Sequence, residues 1–371
     1  MSLITYLAKR ALSGTGCNGF TRMIAALYVQ QGGLHTTVQD LGRYGWQSMG
    51  VPVSGALDAT ALRVANTLVG NAPDVAALEI LGTGPILEVN AIRVRLALAG
   101  GDASIQLLSP NRRDLPNFES FCLRRGDVLR IGSLTKGAVT YLAIEGGLDL
   151  PLVLGSHSTY TRGHFGGYHG RMLASHDDVP LLISEAPERK ESRLRDQTLP
   201  GTLPIRIIPG PQNDFFSPEA IEILTNNPYT VTPAVDRMGM RLDGPRLTHT
   251  RGFNITSDGT APGAIQVPGD GFPIVLMADR QTTGGYPKIG CVISSDLATV
   301  ARLRPGNTIR FELASLEQAA SARIDLENWF AKLPSSIESF TPSGIIDTTA
   351  LNTENLISGV VGPDDSIEPH T

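Results

Sequence analysis

The stretch PIVLMADRQTTGGYPKIG, Pro273 to Gly290, opens as an apolar run and changes abruptly into polar residues and glycines. Ile274, Val275, Leu276 and Met277 read as a short strand covered on both faces, since a brief continuous apolar run bounded by turn residues suits that setting. A turn needs only one or two special residues. This exit carries Asp279, Arg280, Gln281, Thr282, Thr283, Gly284, Gly285, Tyr286 and Lys288. Burying so many polar groups without partners is costly, so the segment predicts a rigid strand whose exit loop lines a site.

The rest of the chain fits a mainly β fold with a few short helices. Forty Gly and 25 Pro among 371 residues, beside 6% aromatic residues, indicate many turns and short strands. Ala25–Val29, Ile92–Leu98, Val128–Ile131 and Val139–Ile144 show strand patterns. Asp58 is a good N-cap for a helix that carries Leu62, Ala65 and Val69 on one face and stops at Gly70. Further helices are predicted from Ser217, with Pro218 at its first position, and from Ser295 or Asp296 towards Pro305. An echo links Arg124, Gly126, Asp127 and Leu129 to Arg304, Gly306, Asn307 and Ile309, a Gly-Asp/Asn turn feeding a strand in each case. It suggests two β lobes.

The expected boundaries are a non-folding extension over residues 1–22, an N-terminal lobe over 23–190 and a second lobe over 200–315. A C-terminal helix over 316–333 and a disordered tail over 334–371 complete the plan. The charged segment from Glu185 to Gly201 reads as the linker between the lobes.

Composition excludes several functions. With a net charge of −5 and no basic run interleaved with aromatics, nucleic acid is not an expected partner. No apolar run reaches the ~20 residues of a membrane span. Cys17, Cys122 and Cys291 are far apart and lack CxxC spacing, which argues against a disulfide framework or zinc and for the reducing cytoplasm. His157, His164, His169 and His176 lie close together but without a compact ligand spacing, so no metal is expected. No GxSxG elbow and no GxxxxGK[ST] loop is present.

Four segments join backbone-permissive residues to polar ones: TTVQDLGRYGWQSMGVPVSGALD (Thr36–Asp58), GSHSTYTRGHFGGYHGRML (Gly155–Leu173), VDRMGMRLDGP (Val235–Pro245) and PGAIQVPGDGFPIVLMADRQTTGGYPKIG (Pro262–Gly290). They supply Asp279, Arg280 and Asp40 as candidate catalytic residues. The candidate substrate-binding set is Arg43, Ser54, Ser158, Arg237, Gln266, Gln281, Thr282, Thr283, Tyr286 and Lys288. Asp279 is read as acid or acceptor, Arg280 as the partner of a carboxylate, and Gln281, Thr282 and Thr283 as amide-facing donors. An Arg fork with fixed donors suits an amide or lactam carbonyl beside a carboxylate. Singly, Asp40 with Arg43 and Asp236 with Arg237 also read as turn or ion-pair residues.

These segments, from about Met23 to the Arg310 strand, resemble the biotin-dependent carboxyltransferase family that includes allophanate hydrolase subunit 2, the KipI antagonist and the C subunit of ATP-dependent 5-oxoprolinase. The GAIQVP and ADRQTTGGYP forms look most like the last of these. The resemblance implies a cyclophilin-like β-barrel architecture, a KipI-like B subunit as direct partner and an A subunit in the same complex. It further implies ATP-driven opening of the lactam of 5-oxo-L-proline to L-glutamate, by a chain inactive on its own. No biotin attachment site is expected, because no biotinyl lysine in an AMKM-like turn occurs. Two alternatives stay open: the carboxyltransferase half of a urea carboxylase/allophanate hydrolase-like system, and a non-enzymatic regulatory binder of the KipI-like partner.

Overall fold

A computed structural model describes residues 25–201 and 203–342. The expected extension over 1–22 and the tail beyond 342 lie outside these residues. The chain is mainly β, with four helices among the described residues: α1 (Ala59–Val69), α2 (Pro218–Asn226), α3 (Leu297–Ala301) and α4 (Leu316–Lys332).

Two antiparallel sheets form the first lobe. One has six strands and contains Ala26–Gln31, Ile86–Asn90 and Val128–Leu134 in neighbouring positions. The other has five, in the order His35–Gln39, Ala77–Leu81, Val139–Ile144, Arg93–Gly100 and Ser120–Arg124. Leu27, Leu87, Val89 and Ile131 of the first meet Val38, Ile80, Leu96 and Leu142 of the second in one core. The outer face of the five-stranded sheet carries Ala77, Ala97, Ala99 and Ala143, small enough to let α1 pack closely upon it. Strand Val139–Ile144 is therefore buried on both faces, and its two polar side chains find partners there: Thr140 Oγ1 donates to the Ala99 carbonyl (3.0 Å) and Tyr141 Oη to Glu79 (2.6 Å). Asp58 caps α1 by accepting from Ala61 N (2.9 Å), and Gly70 ends it in the left-handed region at φ 78°.

The second lobe is one eight-stranded sheet. Its two edges, Thr308–Ile309 and Phe311–Leu313, are consecutive pieces of one run. The first pairs with Tyr229–Val235 and the second with Ile205–Pro209, while the carbonyl of Arg310 between them accepts Ile205 N (2.8 Å). That single crossing nearly closes the sheet into a barrel and protects its edges.

The echoed turn is the same structure in both lobes. Arg124 N donates to Asp127 Oδ2 and Arg304 N to Asn307 Oδ1, each at 2.8 Å. Asp127 and Asn307 carbonyls accept from Val89 N and Val231 N, each at 2.9 Å. Gly126 and Gly306 supply the positive φ, 86° and 87°, that the turn requires.

Two expectations are corrected. The segment read as a linker contains strand Glu191–Leu194, and the segment read as a disordered tail contains strand Ile337–Phe340. The two pair antiparallel. Most charges of the first segment are exposed, but Glu191 is buried and accepts from Arg95 Nε (3.0 Å), and Arg95 also reaches Glu145 (2.6 Å). Composition reports charge but not whether it is neutralised.

Candidate functional site

The Asp279–Lys288 loop leaves a short buried strand, as the sequence suggests, but its side chains part company. Strand Ile274–Leu276 is short, with Val275, Leu276 and Met277 buried. Asp279 and Arg280, neighbours in sequence, are both 3% exposed yet meet different partners.

Asp279 belongs to the seam between the lobes. Arg237 Nε donates to its Oδ2 (2.8 Å) and Arg237 Nη2 to its Oδ1 (3.1 Å); Nη2 also reaches the Gly55 carbonyl (2.7 Å) and Nη1 the carboxylate of Glu79. Glu79 in turn accepts from Tyr141 Oη (2.6 Å) and Leu57 N (2.9 Å). Beside them Arg302 of the barrel clasps Asp58 of the first lobe (2.5 and 3.1 Å). Burial by itself would lower the pKa of Arg237, but Glu79 and Asp279 outweigh it and hold the guanidinium above its ordinary value. Tyr141 is pushed up by burial and by Glu79 and Asp58. Asp279, read as acid or acceptor, accepts here from Arg237, and Arg237, read as substrate-binding or ion-paired, is engaged by Asp279 and Glu79; the three join the lobes.

Asp40 is likewise engaged. Its Oδ1 accepts from Gly42 N (2.8 Å), Ser156 Oγ (2.7 Å) and Ser158 Oγ (2.5 Å), and its Oδ2 from His157 N (2.7 Å). A carboxylate that accepts four hydrogen bonds organises the GSHS loop around it. Arg43 reaches the Ser158 carbonyl and stacks over Phe165 (4.9 Å), leaving Nη1 buried without an acceptor. Asp40, Arg43 and Ser158 therefore form one cluster in the first lobe.

Arg280 faces a cleft of about 530 Å³ between the lobes. The walls are the 41–63 segment, the 260–262 and 276–280 segments, and α4. Arg280 Nε reaches the Thr260 carbonyl at 3.3 Å and Nη1 the Met277 carbonyl at 3.5 Å; no carboxylate pairs with it among the described residues. Burial pushes its pKa below the ordinary value, with Cys291 and Tyr44 opposing weakly. Ser54, held at φ 56°, lines the same cleft with a buried hydroxyl that has no partner. A buried cation without a carboxylate and a hydroxyl without an acceptor are what an anionic, carbonyl-bearing ligand would satisfy.

Gln266, Gln281 and Lys288 gather on the other side of Thr260, at the barrel rim. Gln281 Nε2 donates to Gln266 Oε1 (3.3 Å), and Thr260 Oγ1 bonds the Gln281 carbonyl. Gln266 and Lys288 are register partners on adjacent strands. Gln266 Nε2 has no acceptor, and Lys288 Nζ has only an ion pair with Asp258 at 3.5 Å. Thr282 is half-buried; Thr283 and Tyr286 are exposed on the loop. Three of the four sequence segments meet between the lobes, whereas Gly155–Leu173 packs on Asp40 and Arg43 within the first lobe, so the predicted residues form four clusters and not one constellation. Missed by sequence reading were Glu79, Tyr141 and Arg302, which sit in apolar strand or helix contexts, and the wall of the cleft supplied by α4.

The model of the carboxyltransferase domain, subdomain A and B, matches residues 49–313. The chain belongs to this carboxyltransferase-domain family. It is 36% identical over 307 residues to the 5-oxoprolinase C subunit of Escherichia coli, covering 83% of this chain and 97% of that protein. It is 34% identical to urea amidolyase of Saccharomyces cerevisiae, covering 87% of this chain and 18% of that much longer protein. The crystal structure of the Kluyveromyces lactis urea carboxylase superposes with a TM-score of 0.77 at 30% identity, over 92% of this chain and 32% of that one. No helix among the described residues is long and apolar enough to cross a membrane.

Proposed function

We propose that the chain is one component of an ATP-dependent 5-oxoprolinase complex that works in the cytoplasm with the A and B subunits and opens 5-oxo-L-proline to L-glutamate. The observation that carries this reading is Arg280: a buried guanidinium with no carboxylate partner among the described residues, opening on the interlobe cleft. 5-Oxoproline presents a carboxylate to pair with it and a lactam carbonyl for a hydroxyl such as Ser54. Arg280 binds and orients. Ser54 Oγ donates towards the carbonyl oxygen, where negative charge grows on attack. Arg237, Asp279 and Glu79 hold the two walls at a fixed separation and take no proton. ATP is the co-substrate of the complex, and its activating chemistry is assigned to the assembled subunits, so this chain alone does not turn over.

The test is reconstituted turnover. Arg280→Ala in the full complex is expected to lose about 2–4 kcal/mol of transition-state stabilisation, roughly 30- to 1000-fold in kcat/KM, with little change in melting. Arg280→Lys rescues poorly, because an ammonium lacks the two-pronged fork. Normal turnover in Arg280→Ala, or cleavage of 5-oxoproline by the purified chain alone, refutes the proposal. A second reading, carboxyl transfer in a urea carboxylase-like system, is favoured by the 34% identity to urea amidolyase over most of this chain. It predicts turnover only with a separate biotin-bearing partner.

A further inference from the structure

Helix α4 begins beyond the end of the matched domain at residue 313, yet it forms one wall of the cleft. Arg323, Leu326, Glu327 and Phe330 line it, spaced three, four and seven residues from the first, which is one stripe of an α-helix. The helix is otherwise lightly seated. Ala322 is its one buried residue, while Leu316 and Ile324 are 70% and 59% exposed. Trp329 packs it against the core beneath α1, a Ser315–Gln318 capping box closes its first turn, and the Ile337–Phe340 strand follows it.

Facing the stripe is Arg63 of α1, whose guanidinium lies 4.3 Å over the Phe330 ring and whose Nε is buried without an acceptor. Glu327 stands between Arg63 (3.7 Å) and Arg323 (3.5 Å), too far from either for a good hydrogen bond. Among the described residues that line the cleft, the only charged side chains are Arg63, Arg280, Arg323 and Glu327. Three guanidinium groups therefore face one carboxylate, and the two parts of that excess sit apart: Arg280 on the barrel wall, Arg63 and Arg323 against α4.

We propose that the cleft takes a ligand with two separated anionic groups, the first on Arg280 and the second at Arg63 and Arg323, and that α4 determines which second group fits. The assignment rests on the lactam reading, in which hydrolysis of a carboxylated lactam yields a dicarboxylate. The second group is a carboxylate or a phosphoryl group, which share this donor chemistry. Glu327 acts against it, as an internal competitor for the same guanidinium groups.

Calorimetry on the full chain with glutarate, 3-phosphonopropionate and butyrate tests the proposal. One or both of the doubly anionic probes should bind at least tenfold more tightly than butyrate, and the tighter one identifies the second group. Arg323→Ala and Arg63→Ala should each abolish most of that advantage while leaving butyrate affinity unchanged; Arg280→Ala should weaken all three. Glu327→Gln should raise affinity for the doubly anionic probes. Melting curves confirm that each variant is folded; Arg323, with a side chain 60% exposed, serves as the safe case. Equal binding of all three probes, no binding by any, or an unchanged preference in Arg323→Ala overturns the second anion position. Those results leave the lactam reading intact, since it fails on a different measurement, unimpaired turnover of Arg280→Ala in the complex.

Discussion

Arg237 and Arg280 are both almost fully buried, and replacing each with Met should have opposite consequences. Arg237 neutralises Glu79, which is 0% exposed, and Asp279, which is 3% exposed. Met at 237 leaves two carboxylates in the interlobe seam without their cation, and removing one partner of a buried ion pair costs about 3–5 kcal/mol. Arg280 has no carboxylate to abandon; it loses contacts with the carbonyls of Thr260 and Met277 at 3.3 and 3.5 Å. Met fills its place and removes a charge whose dehydration only two long carbonyl contacts offset, so stability should be unchanged or rise by about 1 kcal/mol. Urea titration of the isolated chain, comparing midpoints at constant slope, reads both effects. Adding Glu79→Gln and Asp279→Asn to Arg237→Met should restore part of the loss, because the stranded charges are gone. A neutral Arg237→Met, or an Arg280→Met as unstable as it, would refute the division of these residues into seam and site.

Burial raises Cys122 from 9.0 and Tyr229 from 10.0 to about 12 each. Both groups ionise first in the unfolded chain, so the stability they contribute is full below pH 9 and is lost as pH rises from there towards 12, which alkaline melting curves will show. The same shift cuts the reactive thiolate fraction of Cys122 at about pH 8, where iodoacetamide should label that residue far more slowly in native than in unfolded protein. Truncation after Ser336 removes the partner strand of Glu191–Leu194 and should cost roughly 1–3 kcal/mol in urea unfolding, whereas a chain ending at residue 342 retains that strand. Gly166 is at φ 74°, and a Cβ there would lie 2.0 Å from the Ser158 carbonyl oxygen, so Gly166→Ala should destabilise by about 2 kcal/mol or more and displace the loop held by Asp40.

Local chemistry made much of the architecture legible in the sequence. Asp58 and Gly70 bound α1, Pro218 opens α2, and the Gly126–Asp127 and Gly306–Asn307 turns recur because each needs only its own few residues to form. The polar exit of the Ile274 strand was likewise readable as a segment whose buried polar groups need partners. Which groups pair with which was decided only in three dimensions. Arg237 meets Asp279 from 42 residues away and Glu79 from 158, and a sequence does not state which distant carboxylate a guanidinium will reach. That pairing makes Asp279 part of the seam and leaves its neighbour Arg280 free to face the cleft. The same holds for α4 and for Glu191: the sequence described a C-terminal helix and a charged linker, but only the folded lobes bring Arg323 opposite Arg63 and Glu191 onto Arg95. Caps and turns depend on adjacent atoms, whereas charge neutralisation depends on what the rest of the chain carries into contact.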